Sequence, residues 1–278
     1  MDSNSPGRRG RLHGFSINRL IPNILTLAAL CSGLTAIRFA LQGEMPLAVI
    51  AIIVAAIFDA LDGRVARRLG VTSRFGAELD SLSDFLCFGV TPALVLYLAS
   101  LKDGGALGWV VTLMFPICSA LRLARFNTAL VSDTPPPAWT GSYFTGVPAP
   151  AGALLALIPL MVSFETKAAW PRHELVVGTV LVVVGGLMVS RLPTFSFKKG
   201  RIPRHLVLPS LLGAALVMGV LASAPWIAGS LIGLAYVALI PFSWMAYRRQ
   251  ALLDKQAAAP QADVVSLRAV DSGPSPPH

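Results

Sequence analysis

The feature that most limits how this chain folds is a series of apolar runs, each about as long as a membrane is thick. A run of about 20 apolar residues crosses a bilayer as a helix, because a helix satisfies its own backbone hydrogen bonds. The sequence predicts eight spans, at residues 21–41, 46–66, 79–101, 106–126, 147–164, 174–191, 205–223 and 226–247. The predicted fold class is therefore all-α, a polytopic transmembrane helical bundle.

The basic residues are concentrated in alternate loops between these spans. The formal net charge is +9, although only 13% of the residues are charged, about half the share found in an ordinary soluble domain. Because cytoplasmic loops are rich in Lys and Arg, this pattern predicts that both termini lie on the cytoplasmic side. The charge is thus explained by topology and by attraction to anionic lipid, and no nucleic-acid partner is expected.

Three regions differ in composition along the chain. Residues 1–20 form a basic cytoplasmic leader, for which disorder and a short interfacial helix both remain open. Residues 21–250 form one transmembrane domain, and residues 251–278, rich in Ala, Gln, Ser and Pro, are expected to be a disordered cytoplasmic tail. The cysteines Cys31, Cys87 and Cys118 lack metal-ligand spacing and lie in apolar stretches, so a disulfide framework is not expected.

Four aspartates lie within or beside two otherwise apolar helices, where a charged side chain is costly. Asp59 and Asp62 are three residues apart and share one helix face near the end of the second span. Asp80 and Asp84 are four apart and share a face at the start of the third span. Because the two helices are antiparallel and joined by a short turn, both pairs are expected to face each other just inside the cytoplasmic surface.

Four converging carboxylates repel one another unless a cation neutralises them. Hard divalent cations such as Mg²⁺ or Mn²⁺ prefer oxygen ligands, and His and Cys are absent from the cluster. Two such ions could bind a pyrophosphate and stabilise the entering and leaving oxygens of a phosphoryl-type displacement. Nearby small residues, Gly63, Ala66 and Gly76, leave room for a nucleotide, and Arg67 can reach phosphate oxygens.

Other interpretations of the same aspartates remain open at this stage. Single aspartates could pair with neighbouring arginines at helix ends, although four at these spacings are hard to explain in that way. A metal-ion or proton-coupled transporter could also use intramembrane carboxylates, but such a site is expected nearer the bilayer midplane. A non-catalytic membrane scaffold is the third alternative.

At these residues the chain resembles the CDP-alcohol phosphatidyltransferase family. The family signature, D-x2-D-G-x2-A-R-x8-G-x3-D-x3-D, is matched at all eight fixed positions over 26 residues: Asp59, Asp62, Gly63, Ala66, Arg67, Gly76, Asp80 and Asp84. The resemblance implies a core of six transmembrane helices, a homodimer, and divalent metal that binds the pyrophosphate of a CDP-lipid. CMP is the implied leaving group.

The resemblance also implies a role for each matched residue. Asp59, Asp62 and Asp80 would be metal ligands, and Asp84 would be a metal-associated general base that takes the proton of the acceptor hydroxyl. The remaining matched residues would contact the CDP moiety, namely Gly63, Ala66, Arg67 and Gly76. The metal would be Mg²⁺ or Mn²⁺, as two ions.

Four further stretches resemble the bacterial, membrane-embedded serine-accepting branch of the family: residues 21–33, 119–127, 144–151 and 190–198. They imply CDP-diacylglycerol and L-serine as substrates, and the bacterial inner membrane as the location, with the active site on the cytoplasmic side. Glycerol 3-phosphate, an inositol phosphate and choline remain alternative acceptors.

A serine acceptor carries a carboxylate, which favours a cation in its pocket. Arg122 and Arg125, with Asn127, lie at the cytoplasmic end of the fourth span and are the candidate acceptor-binding residues. Ordinary anchoring at the membrane surface is the alternative role for both arginines. A second basic patch, Arg191, Lys198 and Lys199, could bind lipid phosphate or the acceptor.

Overall fold

The computed structural model describes residues 20–71, 73–131, 143–190, 192–195 and 224–271, with isolated positions between 209 and 223. Most of the leader, the loop 132–142 and most of predicted span 205–223 lie outside the described residues. The basic patch of Arg191, Lys198 and Lys199 also lies outside them.

The first two helices form an antiparallel pair. Helix α1 covers Leu20–Leu41 and α2 covers Met45–Leu69, and a short turn joins them, in which Gly43 has a φ of 81°. The pair is in extensive contact, and Ser32 Oγ donates a 2.8 Å hydrogen bond to the carbonyl of Ala51 across it. Small residues such as Ala36, Ala48 and Ala55 are fully buried, which allows the two backbones to approach closely.

The next segment is a continuous helical rod that contains two π-helical stretches. Helix α3 covers Arg74–Asp84 and α4 covers Thr91–Leu96, and π-helical segments follow them at Phe85–Val90 and Tyr97–Leu101. A 3₁₀ turn at Lys102–Gly104 then reverses the chain, with Gly105 at a φ of 57°. Helix α5, Gly105–Val131, returns along the rod.

Three small side chains connect this rod to α1. Ser83 Oγ donates to the carbonyl of Thr26 (3.4 Å), Cys87 Sγ to that of Ala29 (3.3 Å) and Thr91 Oγ1 to that of Gly33 (3.4 Å). The donors are four residues apart, so they lie on one face of the rod. Interhelical hydrogen bonds of this kind stabilise packing inside a membrane, where apolar burial contributes little.

The remaining described elements surround this core: strand β1 (Tyr143–Thr145), helices α6 (Ala149–Ala156), α7 (Ile158–Thr166) and α8 (Glu174–Val189), strand β2 (Pro193–Phe195) and helix α9 (Pro225–Asp271). Strands β1 and β2 pair antiparallel, with Phe144 opposite Thr194. Gly146 follows β1 at a φ of 79°, and a Cβ there would lie 2.6 Å from the carbonyl oxygen of Met188. Glycine is therefore required at this turn.

The all-α class is confirmed, with the two short strands as its exception. Among the described residues, five segments are long and apolar enough to cross a membrane: Leu20–Leu41, Met45–Leu69, Arg74–Thr128, Ala149–Thr166 and Pro225–Gln250. The shorter helix Glu174–Val189 is apolar as well. The segment Arg74–Thr128 contains predicted spans three and four as one hairpin, and the total of eight spans stays a prediction.

The disordered tail expected at residues 251–278 stays a prediction. Helix α9 extends to Asp271, and residues 272–278 lie outside the described part.

Candidate active site

The two halves of the aspartate motif are held together by a short loop with a cap at each end. Helix α2 ends at Gly70, whose φ of 63° is left-handed and whose N–H donates to the carbonyl of Ala66. Helix α3 begins after Ser73, whose Oγ accepts a 3.0 Å hydrogen bond from the N–H of Gly76. Both caps satisfy helix-end groups, and they fix the direction in which α3 leaves α2.

Three of the four aspartates converge at this junction. One carboxylate oxygen each from Asp59, Asp62 and Asp80 lies within 4.8 Å of the others. Asp62 is the most buried of them, with 4% of its surface exposed. Charges at this separation repel by about 3 kcal/mol per pair at an effective dielectric constant of about 20. The group therefore favours a bound cation.

The fourth aspartate, Asp84, lies deeper, at the end of α3 and directly before the first π-helical segment. Its carboxyl group lies beside that of Asp59, and Arg122 of α5 is close enough to interact with it electrostatically. Asp84 Oδ1 is buried without a hydrogen-bond partner among the described residues. Wide π-helical turns are frequent at functional sites, and an unsatisfied buried carboxylate oxygen can accept a ligand or a proton.

A cavity of about 170 Å³ adjoins the aspartates. Its lining includes all four residues that the resemblance assigned to the CDP moiety, namely Gly63, Ala66, Arg67 and Gly76. Asp62 and Asp80 line it as well. A Cβ at Gly63 would lie 3.4 Å from a terminal nitrogen of Arg67, so the arginine folds back over this glycine. A Cβ at Gly76 would lie 3.0 Å from Asn23 Oδ1, so a larger residue there would crowd the cavity.

Helix α1 contributes residues to this site that the sequence analysis did not assign. Pro22, Asn23 and Thr26 line the cavity, and Thr26 Oγ1 donates a 2.6 Å hydrogen bond to Asp62 Oδ2. One sequence signal could have found them: Asn23 and Thr26 are polar, three residues apart, and lie at the start of an otherwise apolar span.

The candidate acceptor-binding residues on α5 differ in what they contact. Arg122 is buried, with 8% of its surface exposed, and its Nε lacks a hydrogen-bond partner among the described residues. Arg125 donates to the carbonyls at the end of α8, at 2.7 Å to Val189 and 3.1 Å to Ser190. Asn127 Nδ2 donates to Ser81 Oγ at 3.0 Å. Of the three, Arg122 is close enough to Asp84 to interact with it electrostatically.

The residues at this junction fit a hard divalent cation. All the donors are carboxylate oxygens, the ligand type that Mg²⁺ and Mn²⁺ prefer. Among the His, Cys, Asp and Glu side chains of the described residues, Asp59, Asp62 and Asp80 are the group close enough to hold one metal ion. The same set lacks the nitrogen and sulfur ligands typical of zinc.

Comparison with known proteins identifies the family of this chain. A CDP-alcohol phosphatidyltransferase family profile matches residues 19–190, more than half of the chain, and a CDP-alcohol phosphatidyltransferase 2 profile matches residues 205–241. The chain therefore belongs to the CDP-alcohol phosphatidyltransferase family, as the motif predicts, and it is a membrane enzyme of that class.

Curated relatives are similar over most of the chain. A CDP-diacylglycerol–serine O-phosphatidyltransferase of Mycobacterium leprae is 38% identical over 242 residues, covering 85% of this chain and 80% of its own. The protein of the same name from Mycobacterium tuberculosis H37Rv is 39% identical over 260 residues, covering 90% and 86%. An archaetidylserine synthase of Methanothermobacter thermautotrophicus is 32% identical over 172 residues, covering 61% and 67%.

Proposed function

We propose that this enzyme transfers the phosphatidyl group of CDP-diacylglycerol to the hydroxyl of L-serine, giving phosphatidylserine and CMP. The observation that carries the proposal is the group of Asp59, Asp62 and Asp80 beside a cavity lined by the motif residues that the resemblance assigns to the CDP moiety. The names of the relatives, which are serine O-phosphatidyltransferases at 38–39% identity, support serine as the acceptor.

The cavity suits the CDP part of the lipid. Gly63, Ala66 and Gly76 have little or no side chain, so the nucleotide can lie against the helix backbones. Arg67 provides a planar, charged donor for the phosphate oxygens. The acyl chains would remain in the bilayer, so the site needs to open only sideways and toward one membrane surface.

Asp59, Asp62, Asp80 and Asp84 are the residues that would hold Mg²⁺ or Mn²⁺, as two ions. Bound there, the ions would neutralise the pyrophosphate and the charge that develops on the leaving oxygen. The carboxylates hold this position because α2 and α3 are fixed by the caps at Gly70 and Ser73.

Asp84 is the proposed general base. It takes the proton of the serine hydroxyl as the serine oxygen forms a bond to the phosphorus that carries the diacylglycerol. The bond from that phosphorus to the CMP oxygen breaks, and CMP leaves with the electron pair. Asp84 suits this role because its Oδ1 lacks a hydrogen-bond partner among the described residues, so it is available to accept a proton.

Arg122 is the proposed partner of the serine carboxylate. Arg122 is buried and close enough to Asp84 to interact with it electrostatically. A charge-assisted hydrogen bond to a substrate carboxylate is strong in such a buried place. Arg125 and Asn127 would complete the acceptor side by holding the end of α5 against α8 and α3, through their bonds to Val189 and Ser81.

The proposed setting is the bacterial inner membrane, with the aspartate cluster and both termini on the cytoplasmic side, and the proposed assembly is a homodimer. The basic loops between alternate spans support the orientation. CDP-activated lipid and free serine are then both available on the side where the cavity opens.

The test is CMP release by purified protein in detergent with CDP-diacylglycerol and either Mn²⁺ or Mg²⁺. Serine, glycerol 3-phosphate, inositol phosphate and choline are supplied separately, with chelator and with Asp84→Asn as controls. We expect serine-dependent CMP that is lost in both controls. Asp103→Asn, at the far end of the third span, is the matched variant and is expected to retain activity.

Each other outcome has a definite meaning. CMP released only with a different alcohol would keep the reaction and exclude serine. Metal or proton flux across vesicles without CMP release would favour a transporter. Full CMP release by Asp84→Asn would exclude Asp84 as the general base. Neither CMP release nor flux, from folded protein, would favour a scaffold role.

A further inference from the structure

A second cavity lies at the end of the bundle opposite the aspartates. It is lined by residues from the ends of three membrane helices and the turn between α7 and α8, including Pro46, Ser163, Phe164, Lys167, Arg172 and Trp226. On α2, Pro46 is 13 residues before Asp59, which is about 20 Å of helix. The two cavities are therefore separated by most of the thickness of a membrane.

We propose that this cavity binds the phosphate of an anionic phospholipid in the membrane leaflet opposite the active site. The site is defined by two basic side chains, Lys167 and Arg172, at the depth where helices end and lipid headgroups begin. The proposal concerns a lipid that is not a substrate, and it does not depend on the identity of the acceptor.

The guanidinium group of Arg172 is held in place by neutral groups. Its Nε donates a 2.7 Å hydrogen bond to Ser163 Oγ, and its Cζ lies 5.3 Å from the centre of the Phe164 ring. Ser163 Oγ donates its single proton to the carbonyl of Leu160 at 2.7 Å, so it must act as the acceptor for Arg172. Among the described residues these contacts hold the guanidinium group without a paired carboxylate, so its terminal nitrogens can bind an anion.

Lys167 brings a second positive charge to the same cavity. It ends α7 in a left-handed conformation, with a φ of 53°, and its N–H donates to the carbonyl of Ser163. A non-glycine residue in this conformation is uncommon. Among the described residues that line the cavity, Lys167 and Arg172 are the charged ones. Two cations without a carboxylate in the lining favour a phosphate ligand.

The aromatic residues indicate a lipid rather than a free ion. Phe164 and Trp226 form an edge-to-face pair with centres 4.9 Å apart, which gives the cavity a rigid apolar wall. Trp170 directly follows Ala169, which lines the cavity, and is 65% exposed. Tryptophan is enriched at the membrane–water interface, and the adjoining helices α2 and α9 expose Leu47, Ile227 and Leu231, against which acyl chains can lie.

The proposal is tested by native mass spectrometry of the full chain, titrated with phosphatidylglycerol or with phosphatidylcholine. Wild-type protein should bind the anionic lipid more tightly. Lys167→Asn removes the charge and keeps the left-handed turn, which Asn tolerates. We expect it to weaken phosphatidylglycerol binding about fivefold, the effect of about 1 kcal/mol per basic residue near a lipid surface. Phosphatidylcholine binding should not change.

Lys102→Asn is the matched control, because Lys102 lies at the same end of the bundle but does not line the cavity. Arg172→Gln is the second test variant, with its melting temperature measured beside that of the wild type to exclude unfolding. Equal binding of the two lipids, or equal effects of Lys167→Asn and Lys102→Asn, would overturn the proposal. Displacement of the bound lipid by millimolar inorganic phosphate would assign the site to free phosphate instead.

Discussion

Thr26 Oγ1 and Asp62 Oδ2 lie 2.6 Å apart, and this buried hydrogen bond joins α1 to the aspartate cluster on α2. The threonine hydroxyl also lies 3.1 Å from the carbonyl of Pro22, but it has a single proton, and the shorter contact is with the carboxylate. A charge-assisted hydrogen bond of this length fixes the orientation of Asp62. Thr26 is therefore a positioning residue for the proposed metal site.

Replacing this hydroxyl should weaken metal binding. Thr26→Val keeps the shape of the side chain but removes the donor to Asp62, and the loss of a partner that orients a metal ligand typically costs about 10–100-fold in metal affinity. The measurement is the dissociation constant for Mn²⁺, followed by electron paramagnetic resonance of the free ion.

The control for Thr26 lies on the same helix. Thr35 is half-buried and donates to the carbonyl of Cys31 within its own helix. Thr35→Val should leave the Mn²⁺ affinity unchanged. Equal affinities in Thr26→Val and wild type would show that Asp62 is oriented without this hydrogen bond.

A second prediction concerns the negative charge of the cluster itself. Asp80→Asn removes one of the three converging carboxylates, and we expect Mn²⁺ affinity to fall at least tenfold, because hard cations bind charged oxygen ligands most strongly. Glu78→Gln is the matched variant, since Glu78 lies two residues earlier on α3 and is exposed. If both variants bind Mn²⁺ as the wild type does, the ion is not held by this cluster.

A third prediction separates the two arginines on α5. Arg122→Gln should raise the KM for serine about 10–100-fold, the equivalent of one lost hydrogen bond to a charged group, with little change in melting temperature. Arg125→Gln should instead lower the melting temperature, because the carbonyls of Val189 and Ser190 lose their donor.

Kinetics and thermal unfolding of both variants in the same detergent provide the check. Arg122→Lys, which keeps the charge, should recover part of the serine affinity. A raised serine KM in Arg125→Gln with unchanged stability would assign the acceptor contact to Arg125.

The motif allowed much of the site to be predicted from the sequence. Spacings of three and four residues put Asp59 with Asp62, and Asp80 with Asp84, on single helix faces, and helix geometry alone requires this. The short connection between the two helices then forces the pairs together. The same reasoning applied to Gly63 and Gly76, because small residues beside a charged cluster indicate room for a ligand.

Other parts of the site depend on packing that the sequence does not display. The contact of Thr26 with Asp62 joins residues 36 apart, and it requires the particular rotation of α1 that Ser83, Cys87 and Thr91 impose. The bonds of Arg125 to the end of α8 join residues 64 and 65 apart. Such pairings follow from tertiary structure. The sequence therefore predicted cations at the end of α5 but not the groups that they contact.

The last prediction tests the contact that sets the rotation of α1. A Cβ at Gly33 would lie 2.6 Å from Cys87 Sγ and 3.3 Å from Cys87 Cα, so Gly33→Ala must push α1 away from the rod that carries Asp84. Overpacking of this kind typically costs about 1–3 kcal/mol, and we expect both a lower melting temperature and weaker Mn²⁺ binding. Gly186→Ala is the control, because a Cβ there meets nothing within 4 Å and alanine favours a helix by up to about 1 kcal/mol. Equal melting temperatures for the two variants would mean that α1 can move without cost, and the close contact at Gly33 would then not position the site.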